Sequence, residues 1–214
     1  MATSTQTAKK DLRKQIKSRL AALSDDEVVN QSQTAQNLIL RLPQYEKANR
    51  IGIYLSMPTA EARTDILVTH SLEHGKKVFV PYIHRPDGSP RKVIDMLRLS
   101  SFHDYEGLRP DSWGIPTLSK DSIEDRENAA GGKGVAEIKE QDEDDSNPGR
   151  GDNETLDLIV MPAMAFDQGL NRLGHGGGFY DAFLSRFCKD GSRKPYLSKL
   201  RPQFVERDEP SWRC

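Results

Sequence analysis

The sequence predicts an α/β domain, a three-layer sandwich built on a mostly parallel sheet with N-terminal helices and a disordered acidic insertion. Three observations carry that prediction. Short apolar runs of strand type alternate with helix-type runs along the chain. The first forty residues repeat Leu12, Ile16, Leu20 and Leu23 at helical spacing. Residues 121–154 hold twelve acids against four bases and almost no large apolar side chains. Such a stretch cannot bury enough surface to offset its ordering entropy.

In chain order, residues 8–41 read as helix, restarted at Ser24, where Ser-Asp-Asp-Glu forms an N-cap signature, and stopped by Pro43. Residues 50–56 (RIGIYLS) are a strand, ended by Met57-Pro58-Thr59. Residues 64–74 are helical and closed by Gly75. Residues 77–82 (KVFVPY) form a second strand of buried type, and residues 94–99 a less clean third. Residues 156–162 (LDLIVMP) are the strongest strand, and residues 178–189 a helix with Phe179, Phe183 and Phe187 on one face. One domain over residues 8–201 is expected, interrupted by the 121–154 loop and followed by an atypical tail at 202–214.

Composition narrows the classes. The chain has 214 residues and mean hydropathy −0.69, and no window approaches the ~18 apolar residues of a membrane span. Two cysteines, Cys188 and Cys214, cannot build a disulfide framework or a four-cysteine zinc site. With no secretory h-region at the start, a cytoplasmic location is expected, with a mitochondrial one as the alternative because acids are absent before Asp11. The acidic segment carries −8 of a net charge of −1, leaving +7 for the rest. A basic body suits an anionic small molecule, and no nucleic-acid-binding signature accompanies it. The expected partners are therefore small molecules, with neither nucleic acid nor membrane, acting on a monomer.

The most informative run is Asn171-Arg172-Leu173-Gly174-His175-Gly176-Gly177-Gly178-Phe179-Tyr180-Asp181. Glycines let backbone amides approach a ligand, the helix behind them directs its N–H groups to the same spot, and Arg172 offers a fork for oxyanions. No Lys-Ser/Thr follows, so this is not a Walker loop, and the preceding strand ends too far upstream for a dinucleotide fingerprint. Anion binding and a merely flexible approach to the helix both remain open on pattern alone.

Together with AKKDLRKQIKSRL near the start, IGIYLSMPTAEARTDIL around the first strand, KKVFVPY and SWGIPTL, the run LDLIVMP…AFDQGLNRLGHGGGFYDAFL resembles the 5-formyltetrahydrofolate cyclo-ligase family. The resemblance covers most of residues 8–197 outside 119–154. It implies ATP-dependent cyclisation of 5-formyltetrahydrofolate to 5,10-methenyltetrahydrofolate, with release of ADP and phosphate and with Mg2+ on the nucleotide. It assigns ATP contacts to Lys9, Arg13, Arg172, Leu173, Gly174, His175, Gly176, Gly177, Gly178, Phe179 and Tyr180. It assigns folate contacts to Leu55, Glu61 and the stretch His175, Gly176, Gly177, Gly178 and Phe179, and magnesium to Asp181. No catalytic residue is singled out.

Each assignment has a plainer counterpart. Lys9 and Arg13, one helical turn apart, also read as a solvated basic face. His175 is also an ordinary loop histidine. Glu61 and Asp181 are also first-turn acids favoured by a helix dipole. Trp113 either stacks on the ligand or sits buried as a structural tryptophan. Phe179 stands where the family has tyrosine. Two other functions stay open: a nucleotide- or phosphate-binding α/β protein without folate turnover, and an inactive truncated homologue. The latter follows from the ending SKLRPQFVERDEPSWRC, where Pro202 and the lack of an apolar run predict a missing strand, and Asp208 lacks the pattern of a second metal ligand.

Overall fold

The computed structural model of the chain describes residues 4–59, 61–135, 155–167, 169, 171–188 and 194–200. Helix α1 (Ser4–Ala21) is followed by α2 (Asp25–Leu40), and the restart is a capping box. The Ser24 hydroxyl accepts from the Glu27 amide, and the Glu27 carboxylate accepts from the Ser24 amide at 2.8 Å. Pro43 ends α2 as expected but also opens a short helix, α3 (Pro43–Lys47), because proline suits a first helical turn.

A five-stranded sheet follows in the order β3-β2-β1-β6-β9. Its members are β1 (Arg50–Ile53), β2 (Lys77–His84), β3 (Val93–Leu99), β6 (Leu158–Met161) and β9 (Tyr196–Lys199). All pairs are parallel except β2 with β3. Every residue of β1 and β6 is buried. Alternate side chains of a strand point to opposite faces, so both faces of the sheet are covered. Helices α4 (Asp65–Glu73) and α6 (Phe179–Phe187) make the crossovers, and Leu67, Val68, Phe183 and Phe187 enter the same core as Ile51, Phe79 and Ile159. The remaining elements are α5 (Phe102–Glu106), the ribbon β4 (Arg109–Pro110) with β5 (Pro116–Thr117), and the ribbon β7 (Ala165–Phe166) with β8 (Arg172–Leu173).

Two expectations are corrected. Residues 121–135 are not a disordered loop. A 3-10 turn at Lys120–Ser122 leads into a stretch bridged antiparallel to β3 at Leu97 and Asn128. Ile123, Asn128 and Ala129 are buried there, and Arg126 makes a two-pronged ion pair with Asp104. Net acidity hid these few well-placed anchors. The rest of the acidic stretch, residues 136–154, lies outside the described residues. The expected missing strand is corrected only at the start of the ending: a short strand, β9, does follow Pro195 and pairs parallel with β6 from Leu158–Tyr196 to Met161–Lys199, with Leu200 buried. The strand is only four residues long and its first two side chains, Tyr196 and Leu197, are exposed, so no apolar run announces it. Residues 201–214, including Pro202 and Asp208, lie outside the described residues.

Candidate active site

The strand order reverses beside β1, whose crossover to β2 runs one way while β6 and β9 lie on the other side. Loops leaving the carboxyl ends of β1 and β6 therefore stand at the usual ligand position in a sheet of this kind. Glu61, His175, Arg13, Arg172 and Asp181 gather around these loops.

The loop after β1 is pinned by buried hydrogen bonds. The Thr64 hydroxyl donates to the Tyr54 carbonyl at 2.7 Å, and the Tyr54 hydroxyl donates to the Ala62 carbonyl at 2.6 Å. Leu55 is buried under it, and Glu61 is only 7% exposed. One Glu61 oxygen accepts from the Met57 amide at 2.9 Å. The other lies 3.7 Å from His175 Nε2, so the β1 loop meets the glycine run. Glu61 precedes α4 by four residues and is thus not a first-turn acid of that helix.

The glycine run hangs between β8 and α6. Arg172 Nη1 donates to the Pro162 carbonyl at 3.2 Å and Nη2 to Asp181 at 2.6 Å, tying the end of β6 to the first turn of α6. Its guanidinium lies 5.7 Å from the Tyr180 ring centre. Gly176 (φ +103°) and Gly178 (φ +67°) occupy backbone conformations that side chains rarely adopt, and a Cβ at Gly177 would sit 2.8 Å from the Phe179 ring. Gly178 is the N-cap of α6 and offers no side chain to its opening amides, which remain available to a ligand.

Helix α1 completes this wall. Its stripe of Leu12, Ile16 and Leu20 packs on Met164, Ala165 and Leu173 of the β7–β8 ribbon. That docking brings Arg13 Nε to 2.9 Å from the Gly174 carbonyl. Lys9 lies half-buried one turn earlier on the same helix. Arg13 is therefore anchored at the glycine run and is not part of a merely solvated face.

The environments of two residues singled out in the sequence are set by the fold. The Tyr180 hydroxyl is buried with no hydrogen-bond partner among the described residues. Burial drives its phenol far above the usual range, and the nearby Glu61 charge adds to the effect, so it stays protonated as a donor. Trp113 is 71% exposed, which removes the buried structural alternative. Asp111 caps its turn by accepting from the amides of Trp113 (2.8 Å) and Ile115 (3.0 Å). A Cβ on neighbouring Gly114 would lie 2.7 Å from Pro58, so this turn rests on the loop that carries Glu61.

Asp181 is 71% exposed, with one oxygen on Arg172. Among the described residues no group of three or more His, Cys, Asp or Glu side chains is placed to hold a metal. No described helix is long and apolar enough to cross a membrane.

An open, mostly parallel α/β sheet with a glycine-rich run at its switch point defines the class. Within it, the family model described as the 5-formyltetrahydrofolate cyclo-ligase family matches residues 5–201. This chain belongs to that family. The 5-formyltetrahydrofolate cyclo-ligase of Mus musculus is 30% identical over 93% of this chain and 84% of its own length. A probable 5-formyltetrahydrofolate cyclo-ligase of Schizosaccharomyces pombe is 30% identical over 84% and 72%. The NMR structure of the 5,10-methenyltetrahydrofolate synthetase of Aquifex aeolicus shares the fold. It aligns with a TM-score of 0.60 and 21% identity over 95% of this chain and 84% of that one.

Proposed function

We propose that this chain uses ATP to close the imidazoline ring of 5-formyltetrahydrofolate, giving 5,10-methenyltetrahydrofolate, ADP and phosphate. The formyl oxygen attacks the γ-phosphorus as the bond to ADP breaks. N10 then attacks the activated carbon and loses its proton, and the carbon–oxygen bond breaks to release phosphate. Such a reaction asks a protein for positioning and charge neutralisation more than for covalent help.

The observation that carries the reading is the meeting of Glu61 with the glycine run at His175. A buried carboxylate suits the amidine edge of a pterin, which it can engage through two hydrogen bonds. The glycine run, Arg172 and the first turn of α6 suit the phosphates, with Lys9 and Arg13 flanking them. Folate and nucleotide would thus meet where the carboxylate and the glycine run meet. Exposed Trp113 on the adjoining turn suits stacking against an aromatic ring of the ligand.

Asp181 fits magnesium in donor chemistry: a single exposed carboxylate suffices when phosphates and water supply the other oxygens. Bound there, the ion would neutralise phosphate charge. We further assign a monomer working in the cytoplasm. The test is absorbance: purified protein should form the methenyl chromophore only when both ATP and 5-formyltetrahydrofolate are present. ATP binding without chromophore would favour a nucleotide-binding protein lacking folate turnover.

A further inference from the structure

At the opposite end of the sheet, a cavity of about 620 Å³ opens among Arg50, Arg98, Ser100, Ser122, Gly132 and Lys133. We propose that it is a second anion site, one that takes a phosphate-class dianion. Arg50 begins β1 and Arg98 sits near the end of antiparallel β3, so both stand at the amino ends of the parallel strands, away from the glycine run.

The Arg50 side chain is only 8% exposed. Its guanidinium lies over the Phe79 ring at 4.5 Å and pairs through Nη1 with Glu127. Among the described residues, its Nε and Nη2 have no hydrogen-bond partner, and neither does Nε of Arg98. A buried guanidinium edge left without acceptors is costly unless a ligand supplies them.

The charges agree. Glu127 receives Arg50, Lys77 at 3.2 Å and Arg98 at 3.1 Å, so one carboxylate faces three cations. Arg126 is already balanced by Asp104 at 2.7 Å. Lys133 and Asp125, both lining the cavity, offset each other. Among the described residues an excess of two positive charges remains, matching one phosphate dianion, and the guanidinium forks suit its oxygens. Burial alone would raise the Glu127 carboxyl, but the hydrogen bonds from Arg50 and Lys77 outweigh it and hold Glu127 ionised. The donors left unpartnered among the described residues suit an anion that binds in the cavity.

The test titrates inorganic phosphate, at constant ionic strength, into the isotope-labelled full chain carrying Arg172→Ala, which weakens the glycine run as a competing site. Saturable shifts of the Ser100, Ser122, Gly131 and Gly132 amides are expected. Arg98→Gln should weaken the binding about tenfold or more. Lys133→Gln, on an exposed turn that tolerates change, should weaken it by a smaller factor. Adenosine monophosphate is titrated in parallel. Tighter binding than inorganic phosphate would identify a phosphate ester as the ligand, and equal or weaker binding free phosphate; both outcomes support the site. Absence of saturable shifts, or shifts undiminished in both variants, would overturn it. Because the readout is local to these amides, failure here leaves the folate reaction untouched.

Discussion

Two arginine–carboxylate pairs set two regions of the molecule apart. In the segment beside β3, Arg126 grips both oxygens of Asp104 at 2.7 and 2.8 Å and also donates to the Arg98 carbonyl and the Ser122 hydroxyl. In the glycine run, Arg172 touches a single oxygen of Asp181, a residue open to solvent. The first pair is saturated and shielded, so it contributes to stability. In the second only the carboxylate is open: the Arg172 side chain is 15% exposed and also held by the Pro162 carbonyl, whereas Asp181 can yield its place to ligand oxygens. Breaking the first should damage the fold, and breaking the second should damage binding.

Deleting residues 121–154 should have the largest effect. It removes Ile123, Ala129 and the Arg126 clamp, a loss expected to consume much of a domain's ~5–15 kcal/mol. Loss of the cooperative unfolding transition is the expected result. Arg126→Ala alone should cost about 2 kcal/mol in denaturant unfolding, because Asp104 is left half-buried without its partner.

The same pair gives a pH signature. Hydrogen bonds from Arg126 hold the Asp104 carboxyl below its ordinary value of 3.8. A depressed carboxyl adds stability that is fully present above its unfolded value and is lost as pH falls through its folded value. The stability gap between the native protein and Asp104→Asn should therefore be constant near neutrality and close below 3.8. A gap that persists in acid would mean that Asp104 acts through packing alone.

In the open region, Arg172→Ala should raise the KM for ATP by the equivalent of ~1.5–3 kcal/mol, with a smaller loss in unfolding from its bond to the Pro162 carbonyl. Glu61→Gln keeps an acceptor for the Met57 amide but loses its charge, so the KM for folate should rise while that for ATP holds. If both constants stay put, Glu61 serves only the loop. The smallest effect is expected for replacing residues 136–154 with a short Gly/Ser linker. Each doubling of loop length costs only ~0.6 kcal/mol, so stability should stay within about 1 kcal/mol.

The comparison also explains what could be read in the sequence. Arg172 through Asp181 form one contiguous run, and the capping box at Ser24 and strands β1, β2, β3 and β6 announce themselves locally. Glu127 finds Arg50, Lys77 and Arg98 across separations of 29 to 77 residues, and no local pattern announces such a cluster. Residues 121–135 were misread because composition averages over a stretch, whereas packing depends on a few anchors such as Ile123 and Arg126. Strand β9 gives little local signal because it has only four residues and two of its apolar side chains, Tyr196 and Leu197, are exposed, whereas the other edge strand, β3, runs for seven mostly buried residues. Tyr180 was legible as part of a motif, but its buried hydroxyl was not.

The central claim is that the glycine run and the Glu61 loop form one site coupling nucleotide to folate. Stoichiometry tests it most directly: ADP and methenyl chromophore counted in the same reaction with purified protein. One ADP should appear for each methenyl group formed, and neither without the other substrate. ADP released at the same rate in the absence of 5-formyltetrahydrofolate, with no chromophore when it is added, would contradict the claim.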